Sequence, residues 1–352
     1  MNIINQNILT RIISAIYDLI TEIRNYFFRK KILSSTSFPL PIISVGNLAV
    51  GGTGKTPHIE YLIRLLKNDF KLAVLSRGYG RKTSGFLSAN INSSATNIGD
   101  EPLQIFSKFP EISVFVDEKR VHGVNEIIQL QPETEIILLD DAYQHQYIKS
   151  GLSILLSEYE LPFTRDFVMP YGRLREHKKN YNRADIIIVT KCPLDIKDAE
   201  FKRFTEEICP AENQEIYFSG IEYDDFYPAY ENCKIEIDKL KNTDAIILSG
   251  IDNPQTMINF IEKLVKSVEK ITFADHHNFS IKDLKEIEKK SKEKIIITTE
   301  KDIARLKSLH NLSVNIKEKL LVLPIKIKIL NNKEDVFNQK LKNYVSENSR
   351  NS

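Results

Sequence analysis

The chain has few cysteines and little net charge. Both features limit the cellular compartments and the classes of partner that fit the sequence. Its 352 residues include 3 cysteines, Cys192, Cys209 and Cys233, with no metal-ligand spacing and no paired framework. This pattern indicates a reduced, cytosolic compartment. A formal net charge of +2 favours neither nucleic acid nor a strongly acidic partner. The length favours two domains of ordinary globular composition.

The N-terminal region lacks an uncharged run long enough to span a bilayer. Apolar residues recur at helical spacing over residues 3–28, but charged side chains interrupt them. No small-residue cleavage site is evident, so we expect no secretory signal peptide. The basic run 29–31 follows directly. This pattern is typical of an amphipathic helix in a membrane interface, and it also fits a helix docked on the protein's own core.

Residues Ile42–Pro57 read I-I-S-V-G-N-L-A-V-G-G-T-G-K-T-P. An apolar strand, a glycine-rich loop and a helix in this order predict a phosphate-binding loop. Lys55 would reach the β- and γ-phosphates of a nucleotide, and Thr56 would ligate Mg²⁺. The binding residues would be Gly51, Gly52, Thr53, Gly54, Lys55 and Thr56.

One position departs from the usual G-x-x-x-x-G-K-[ST] pattern. Its first glycine is replaced by Ala49, and we expect Gly51 and Gly52 to supply the permissive dihedral angles instead. The alternative interpretation is a glycine-rich turn that binds no ligand.

Apolar strand candidates alternate with helical patterns and predict a parallel sheet flanked by helices. The first set is Ile42–Val45, Leu72–Leu75, Val114–Val116, Ile136–Leu139, Ser153–Leu156 and Ile186–Thr190. A second set is Ala245–Leu248, Ile271–Phe273, Ile295–Thr298 and Leu320–Ile325. We therefore predict an amphipathic helix over 1–31, a nucleotide-binding core over 32–220 and a smaller α/β domain over 221–345.

Acidic residues follow two of these segments. Asp140 and Asp141 end an apolar strand, where a carboxylate can hold Mg²⁺; a turn aspartate is the alternative. Gln144 and His145 follow on the same loop. Asp100, in Gly-Asp-Glu-Pro, could accept a proton from an attacking hydroxyl, although helix capping also explains it.

Histidine and arginine supply the remaining candidates. Asp275-His276-His277 could pair with a carboxylate in proton transfer, or form a solvated turn. Arg77 and Arg175 lie in glycine-containing or charged loops that suit bidentate phosphate recognition, or a solvated turn.

Taken together, the motifs resemble the tetraacyldisaccharide 4′-kinase family of lipid A biosynthesis, in consistent order through most of the chain. They are V-G-N-L-A-V-G-G-T-G-K-T-P at Val45–Pro57, S-R-G-Y-G-R at Ser76–Arg81, G-D-E-P at Gly99–Pro102, L-D-D at Leu139–Asp141 with Gln144-His145, L-R-E at Leu174–Glu176, D-H-H at Asp275–His277 and T-E-K-D at Thr299–Asp302. Two departures are Ala142-Tyr143 where the family usually has Gly-Phe, and His177 where it often has Pro.

The resemblance implies a P-loop kinase that uses ATP and Mg²⁺ to phosphorylate the 4′-hydroxyl of a tetraacylated disaccharide 1-phosphate. It implies a peripheral, monotopic enzyme at the cytoplasmic face of the inner membrane, and we expect a monomer. Lys55 would bind phosphates, and Thr56, Asp140 and Asp141 the metal.

Asp100 and His276 would form the catalytic pair, with His277 as the open alternative to His276. The predicted contacts with the substrate are Arg77, Gln144, Arg175 and Glu176.

Three other functions match parts of the sequence. A membrane-associated ATPase switch needs a lysine just before the two glycines, where Val50 stands. A GTPase needs Asn-Lys-x-Asp, and Thr190-Lys191-Cys192-Pro193 lacks the aspartate. A soluble small-metabolite kinase stays open as an alternative function. The main difference expected of such a kinase is that it would not bind lipid.

Overall fold

Two sheets, one of nine strands and one of five, organise the computed structural model. It describes residues 8–251, 254–274, 277, 279–307, 309 and 312–349. The strands are β1 Ile42–Asn47, β2 Leu72–Ser76, β3 Leu87–Ser88, β4 Ser113–Val116, β5 Ile136–Asp140, β6 Leu152–Glu158, β7 Ile186–Cys192, β8 Glu215–Tyr223, β9 Tyr227–Pro228, β10 Asp244–Ser249, β11 Ser267–Thr272, β12 Ile295–Thr299, β13 Leu320–Leu323 and β14 Ile325–Ile329.

Helices follow most of the strands. They are α1 Ile8–Arg29, α2 Lys55–Leu66, α3 Ala95–Ile98, α4 Asp100–Lys108, α5 Arg120–Leu130, α6 Asp198–Ile208, α7 Gln255–Ile261, α8 Ile281–Lys290, α9 Glu300–Lys307, α10 Val314–Lys317 and α11 Glu334–Asn348. Short 3₁₀ helices occupy Phe163–Arg165, Lys178–Arg183 and Ile237–Asn242. None of the described helices is both long and apolar enough to cross a bilayer.

The larger sheet has the order β14-β8-β7-β6-β1-β5-β2-β4-β3, and only its outermost pairs, β14–β8 and β3–β4, are antiparallel. Helices cover both of its faces, which explains the nearly continuous apolar strands. On β1, Ile43 and Val45 pack with α2, α4 and α11, whereas Ile42 packs with α5. Because β1 and β5 are parallel neighbours, their carboxyl ends bring the glycine-rich loop and Asp140 to one edge.

The smaller sheet has the order β11-β10-β12-β13-β9, parallel except where β9 pairs with β13. This arrangement confirms the predicted class: a parallel sheet flanked by helices, an N-terminal amphipathic helix and a second, smaller α/β unit. The strand predictions match the observed strands closely at most positions.

The prediction of one strand over Leu320–Ile325 is wrong. Proline lacks an N–H to donate to a ladder, and the chain divides at Pro324 into β13 of the smaller sheet and β14 of the larger one. The chain then continues into α11, whose Phe337 and Leu341 are buried in the cluster that includes β1. The predicted range 221–345 therefore extends past the second unit into elements of the first.

Candidate active site

The loop between β1 and α2 has the backbone that a phosphate cradle needs. Gly51 and Gly54 have φ of +110° and +89°, a region that favours glycine. Gly52 lies outside this region, so the expectation that it would supply a permissive dihedral is wrong, and Gly54 takes that part. Ala49 forms an antiparallel bridge with Leu174, and such extended backbone requires no glycine.

Three polar side chains brace this loop. Asn47 Nδ2 donates to Thr53 Oγ1 at 2.7 Å, and Thr190 Oγ1 donates to the Thr53 carbonyl at 3.0 Å. His58 Nδ1 lies 2.7 Å from the Gly54 carbonyl oxygen. Sequence reasoning assigned none of them a role, although Asn47 stands inside the quoted motif. Together they hold the loop before any ligand arrives.

Lys55 points toward the loop that follows β5. Its Nζ lies 3.8 Å from Asp141 Oδ1, and Arg175 Nη1 contacts both oxygens of Asp141 at 2.9 and 3.1 Å. Burial alone would raise the pKa of Asp141, but the charges of Lys55 and Arg175 outweigh it and lower that pKa. Asp141 has a φ of +48°, a strained value for a residue with a side chain. The structure thus brings three predicted site residues into contact.

Asp140 lies deeper, at the end of β5. It is fully buried; Ser76 Oγ donates to its Oδ2 at 3.2 Å, and its Oδ1 has no hydrogen-bond partner among the described residues. Burial, with the negative charges of Glu101 and Asp141, raises the pKa of Asp140 to about 7. Arg120, which sequence reasoning missed, donates to the Asp140 carbonyl at 3.2 Å. An orphaned carboxylate oxygen beside the phosphate loop suits a hard divalent cation.

A hydrogen-bonded chain connects this loop to α1. Gln144 Oε1 accepts from Arg175 at 3.2 Å, and its amide donates to Glu176 at 3.2 Å and to the Asn47 carbonyl at 2.8 Å. Glu176 is buried, and it accepts from Asn25 of α1 at 2.9 Å and from both terminal nitrogens of Arg183. Gln144 and Glu176 thus join α1 to the site; their predicted contact with substrate stays a prediction.

One cavity of about 1400 Å³ is lined by most of these groups, but not by Asp140. Pockets for single drug-sized ligands measure roughly 300–1,000 Å³, so this one has room for a nucleotide and part of a second substrate. The predicted residues that line it are Gly51, Gly52, Thr53, Gly54, Lys55, Thr56, Arg77, Asp141, Gln144, Arg175 and Glu176. Arg77 is exposed, and no hydrogen bond or ion pair joins it to the described part of the chain.

The expected catalytic pair is described in part. Asp100 is the first residue of α4, and its Oδ2 accepts from Arg305 Nε at 2.8 Å. His276 lies outside the described residues, as does Asp275. His277 Nε2 lies 3.0 Å from Asp283 Oδ2, and its ring stacks on Phe273 with centroids 4.3 Å apart.

Within the described residues, no group of three or more His, Cys, Asp or Glu side chains could hold a metal ion. The site instead offers isolated carboxylates beside the glycine-rich loop. Mg²⁺ in such sites takes only one or two protein carboxylates, with phosphate oxygens and water completing its shell.

Comparison with known proteins shows the family to which this chain is similar. The family model described as tetraacyldisaccharide-1-P 4′-kinase matches residues 6–346. Tetraacyldisaccharide 4′-kinase of Bacteroides thetaiotaomicron is 43% identical over 97% of this chain and 93% of its own length. The enzyme of the same name from Flavobacterium johnsoniae is 44% identical over 97% and 99%, respectively.

A solved structure is also similar. The crystal structure of LpxK from Aquifex aeolicus in complex with ATP superposes with a TM-score of 0.72. It is 28% identical in sequence, and the match covers 95% of this chain and 97% of that one. On the family match and these identities, the chain belongs to the tetraacyldisaccharide-1-P 4′-kinase family.

Proposed function

We infer that this chain is a kinase that transfers the γ-phosphoryl group of ATP to the 4′-hydroxyl of a tetraacyldisaccharide 1-phosphate. The product is the bis-phosphorylated lipid A precursor. The observation that carries the inference is the braced phosphate loop, with Lys55 directed at Asp141, in a chain whose family match spans residues 6–346.

ATP binding rests on the loop itself. Backbone N–H groups of residues 51–56 and the N-terminus of α2 would contact the β- and γ-phosphates, since both favour anions. Lys55 would neutralise charge that develops on the transferring group. The ion pair between Lys55 and Asp141 holds the lysine inside the cavity, where it is 10% exposed.

Mg²⁺ would be held by Thr56 with Asp140 and Asp141. The buried, unpartnered Oδ1 of Asp140 supports this choice, because leaving a carboxylate oxygen without a partner costs free energy that a cation would offset. When bound, the ion neutralises phosphate charge during transfer. How Asp140 and Asp141 divide this role stays open.

Asp100 would accept the proton of the attacking hydroxyl, with His276 as its partner. Phosphoryl transfer needs positioning more than strong basicity, so an ordinary carboxylate suffices. The side chain of His277 supports the choice of His276, because Asp283 and Phe273 already engage it. Arg77, which lines the cavity, would contact a phosphate group of the substrate.

Helix α1 would hold the enzyme at the cytoplasmic face of the inner membrane. Its polar face docks on the protein: Ser14 Oγ donates to the Val168 carbonyl at 2.6 Å, and Asn25 donates to Glu176. Most of its apolar side chains stay exposed, although Phe28 is buried, and the exposed ones suit insertion of one face into a bilayer interface. They are Ile8, Leu9, Ile12, Ile13, Ile16, Leu19, Ile20, Ile23 and Phe27.

The direct test is incubation with radiolabelled ATP, Mg²⁺ and a tetraacyldisaccharide 1-phosphate in detergent micelles. We expect a labelled bis-phosphorylated product from the natural chain. Lys55→Ala should lower turnover by at least ~100-fold, because it removes the positive charge beside the transferring phosphoryl group. The matched control is Lys202→Ala, whose side chain is 80% exposed on α6; it should leave turnover unchanged.

Failure of folded, natural protein to label the lipid would overturn the proposed function. Near-normal turnover by Lys55→Ala would instead contradict only the assignment of the loop.

A further inference from the structure

The T-E-K-D motif at Thr299–Asp302 joins the end of β12 to the start of α9, in the second unit, and hydrogen bonds hold it there. Asp302 is fully buried; its Oδ2 accepts from Thr299 Oγ1 at 2.8 Å and from the Gly250 N–H at 3.0 Å. The Asp302 N–H donates back to Thr299 Oγ1 at 3.1 Å. The bond from Gly250, which directly follows β10, ties the start of α9 to the end of that strand.

Ion pairs connect α9 to both ends of α4, whose first residue is Asp100. Arg305 Nε donates to Asp100 Oδ2 at 2.8 Å, and Arg305 is 5% exposed. Lys108, the last residue of α4, lies 2.5 Å from Glu300 Oε1. The two helices therefore run antiparallel, with an ion pair across each end.

Lys108, at the opposite end of α4 from Asp100, also contacts α2, the helix that follows the glycine-rich loop. Lys108 Nζ also lies 2.6 Å from Glu60 Oε2 of α2, the helix that begins at Lys55. Glu60 is 1% exposed and Glu300 is 8% exposed, so Lys108 joins two buried carboxylates. The contacts thus form one path from the helix of Lys55, through the helix of Asp100, to the second unit.

We propose that Arg305 is a positioning residue for the phosphoryl transfer, which holds the Asp100 carboxylate in its reactive orientation, with the Lys108–Glu300 pair fixing the other end of α4. The guanidinium spans two carboxylates, since its Nη1 lies 3.5 Å from Asp302 Oδ1. The buried, fixed Asp302 sets where the guanidinium stands, and Nε then sets where Asp100 Oδ2 stands. This inference rests on the proposed function, because it takes Asp100 as the group that accepts the hydroxyl proton.

Positioning predicts a particular kinetic pattern. Arg305→Gln should lower kcat by about tenfold or more, since small misplacements of a reacting group carry large rate penalties. The KM for ATP should stay within about twofold, because Arg305 is not among the residues that line the cavity. Arg305→Lys should restore most of kcat. The matched control is Arg203→Gln, which removes a pair with Glu200 on the surface of α6.

A double-mutant cycle separates positioning from general support of the fold. In an Asp100→Asn background, measured by single turnover with radiolabelled ATP, Arg305→Gln should change the rate by less than about twofold, because Arg305 acts through Asp100. If Arg305→Gln melts below the assay temperature, the same cycle is run with Arg305→Lys, whose smaller loss should also vanish beside Asp100→Asn.

Three results would overturn the inference: full activity of Arg305→Gln, equal losses with and without Asp100, or a loss confined to the KM for ATP. Each leaves the natural enzyme active and the proposed function intact. Absence of product from the natural enzyme would instead remove the proposed function itself.

Discussion

The imidazole of His58 links the glycine-rich loop between β1 and α2 to strand β8. Its Nδ1 lies 2.7 Å from the Gly54 carbonyl oxygen, and its Nε2 lies 3.0 Å from Ser219 Oγ on β8. Burial lowers the pKa of His58 to about 4, although the Gly54 hydrogen bond opposes this. The ring is therefore neutral at physiological pH and holds Gly54, the residue just before Lys55.

This buried histidine predicts a pH-dependent stability. A histidine in the unfolded chain has a pKa of about 6.5. Between pH ~6.5 and ~4, His58 is therefore protonated in the unfolded chain but stays neutral in the folded protein. The free energy of unfolding should therefore fall as the pH drops through this window. In His58→Gln this dependence should be smaller by up to about 3 kcal/mol. Urea unfolding at a series of pH values measures it.

The exposed His122 provides a control of opposite sign. Its hydrogen bond to Asp117 is the main cause that raises the pKa of His122. Its stabilisation is thus complete below the unfolded pKa and is lost as pH rises through the folded one. His122→Gln should cost most in acid. Equal pH slopes for the natural chain and His58→Gln would refute the assignment of His58.

What could be predicted at this scale depended on distance along the chain. Gly51, Lys55 and Asp141 belong to short motifs whose chemistry is local, and the structure brings them together. Arg305 meets Asp100 across 205 positions, and His58 meets Ser219 across 161. Such partners are set by how the sheets and helices pack, which no short motif encodes.

Helix α1 docks on the protein, which was one of the two interpretations that its sequence left open, and its contact with a membrane stays a prediction. The apolar period predicts an amphipathic helix, and the helix is present. The period alone could not reveal that the polar face docks, because Ser14 and Asn25 find partners 154 and 151 positions away. Proteins usually bury the apolar face of a surface helix. In α1 this arrangement is reversed, and most of its apolar side chains are exposed.

The exposed face predicts vesicle binding. Replacing Ile12, Ile16 and Leu19 together by Ser should weaken flotation with phosphatidylglycerol-containing vesicles by at least ~100-fold, since each buried apolar side chain contributes about 1.5–3 kcal/mol. ATP binding should be unchanged, because none of the three lines the cavity. A soluble small-metabolite kinase would ignore the vesicles altogether.

The control replaces three apolar side chains of similar exposure away from α1. Ile91, Leu130 and Val314 are 90%, 61% and 63% exposed. Their replacement by Ser should leave flotation intact. If both triple variants float alike, α1 has no special part in membrane contact.

For the whole molecule, the return of the chain at Pro324 decides how the two units depend on each other. The smaller sheet lies within the sequence of the larger unit, because β8 precedes it and β14 follows it as antiparallel partners. Alternating apolar segments predicted two α/β units. They could not predict this closure, since an edge strand and a strand of the second sheet have the same local pattern.

Closure makes the first unit dependent on the last helix. Phe337 of α11 is 1% exposed, and its ring lies 4.8 Å from Tyr217 of β8 and 6.0 Å from Tyr61 of α2, measured between centroids. Phe337→Ala should destabilise the protein by about 3–5 kcal/mol, because it leaves a cavity in this core. Val336→Ala, at a neighbouring position that is 61% exposed, should cost at most about 0.5 kcal/mol.

Hydrogen exchange locates the loss that urea unfolding measures. Amides of β1 and β8 should lose protection in Phe337→Ala, because α11 packs in the core that includes both strands. Amides of β10 and β12 belong to a separate cluster and should change less. The reverse pattern would mean that α11 stabilises the second unit.

The phosphate loop follows β1 directly, so weakening at Phe337 should also lower the affinity for ATP, although that residue lines no part of the cavity.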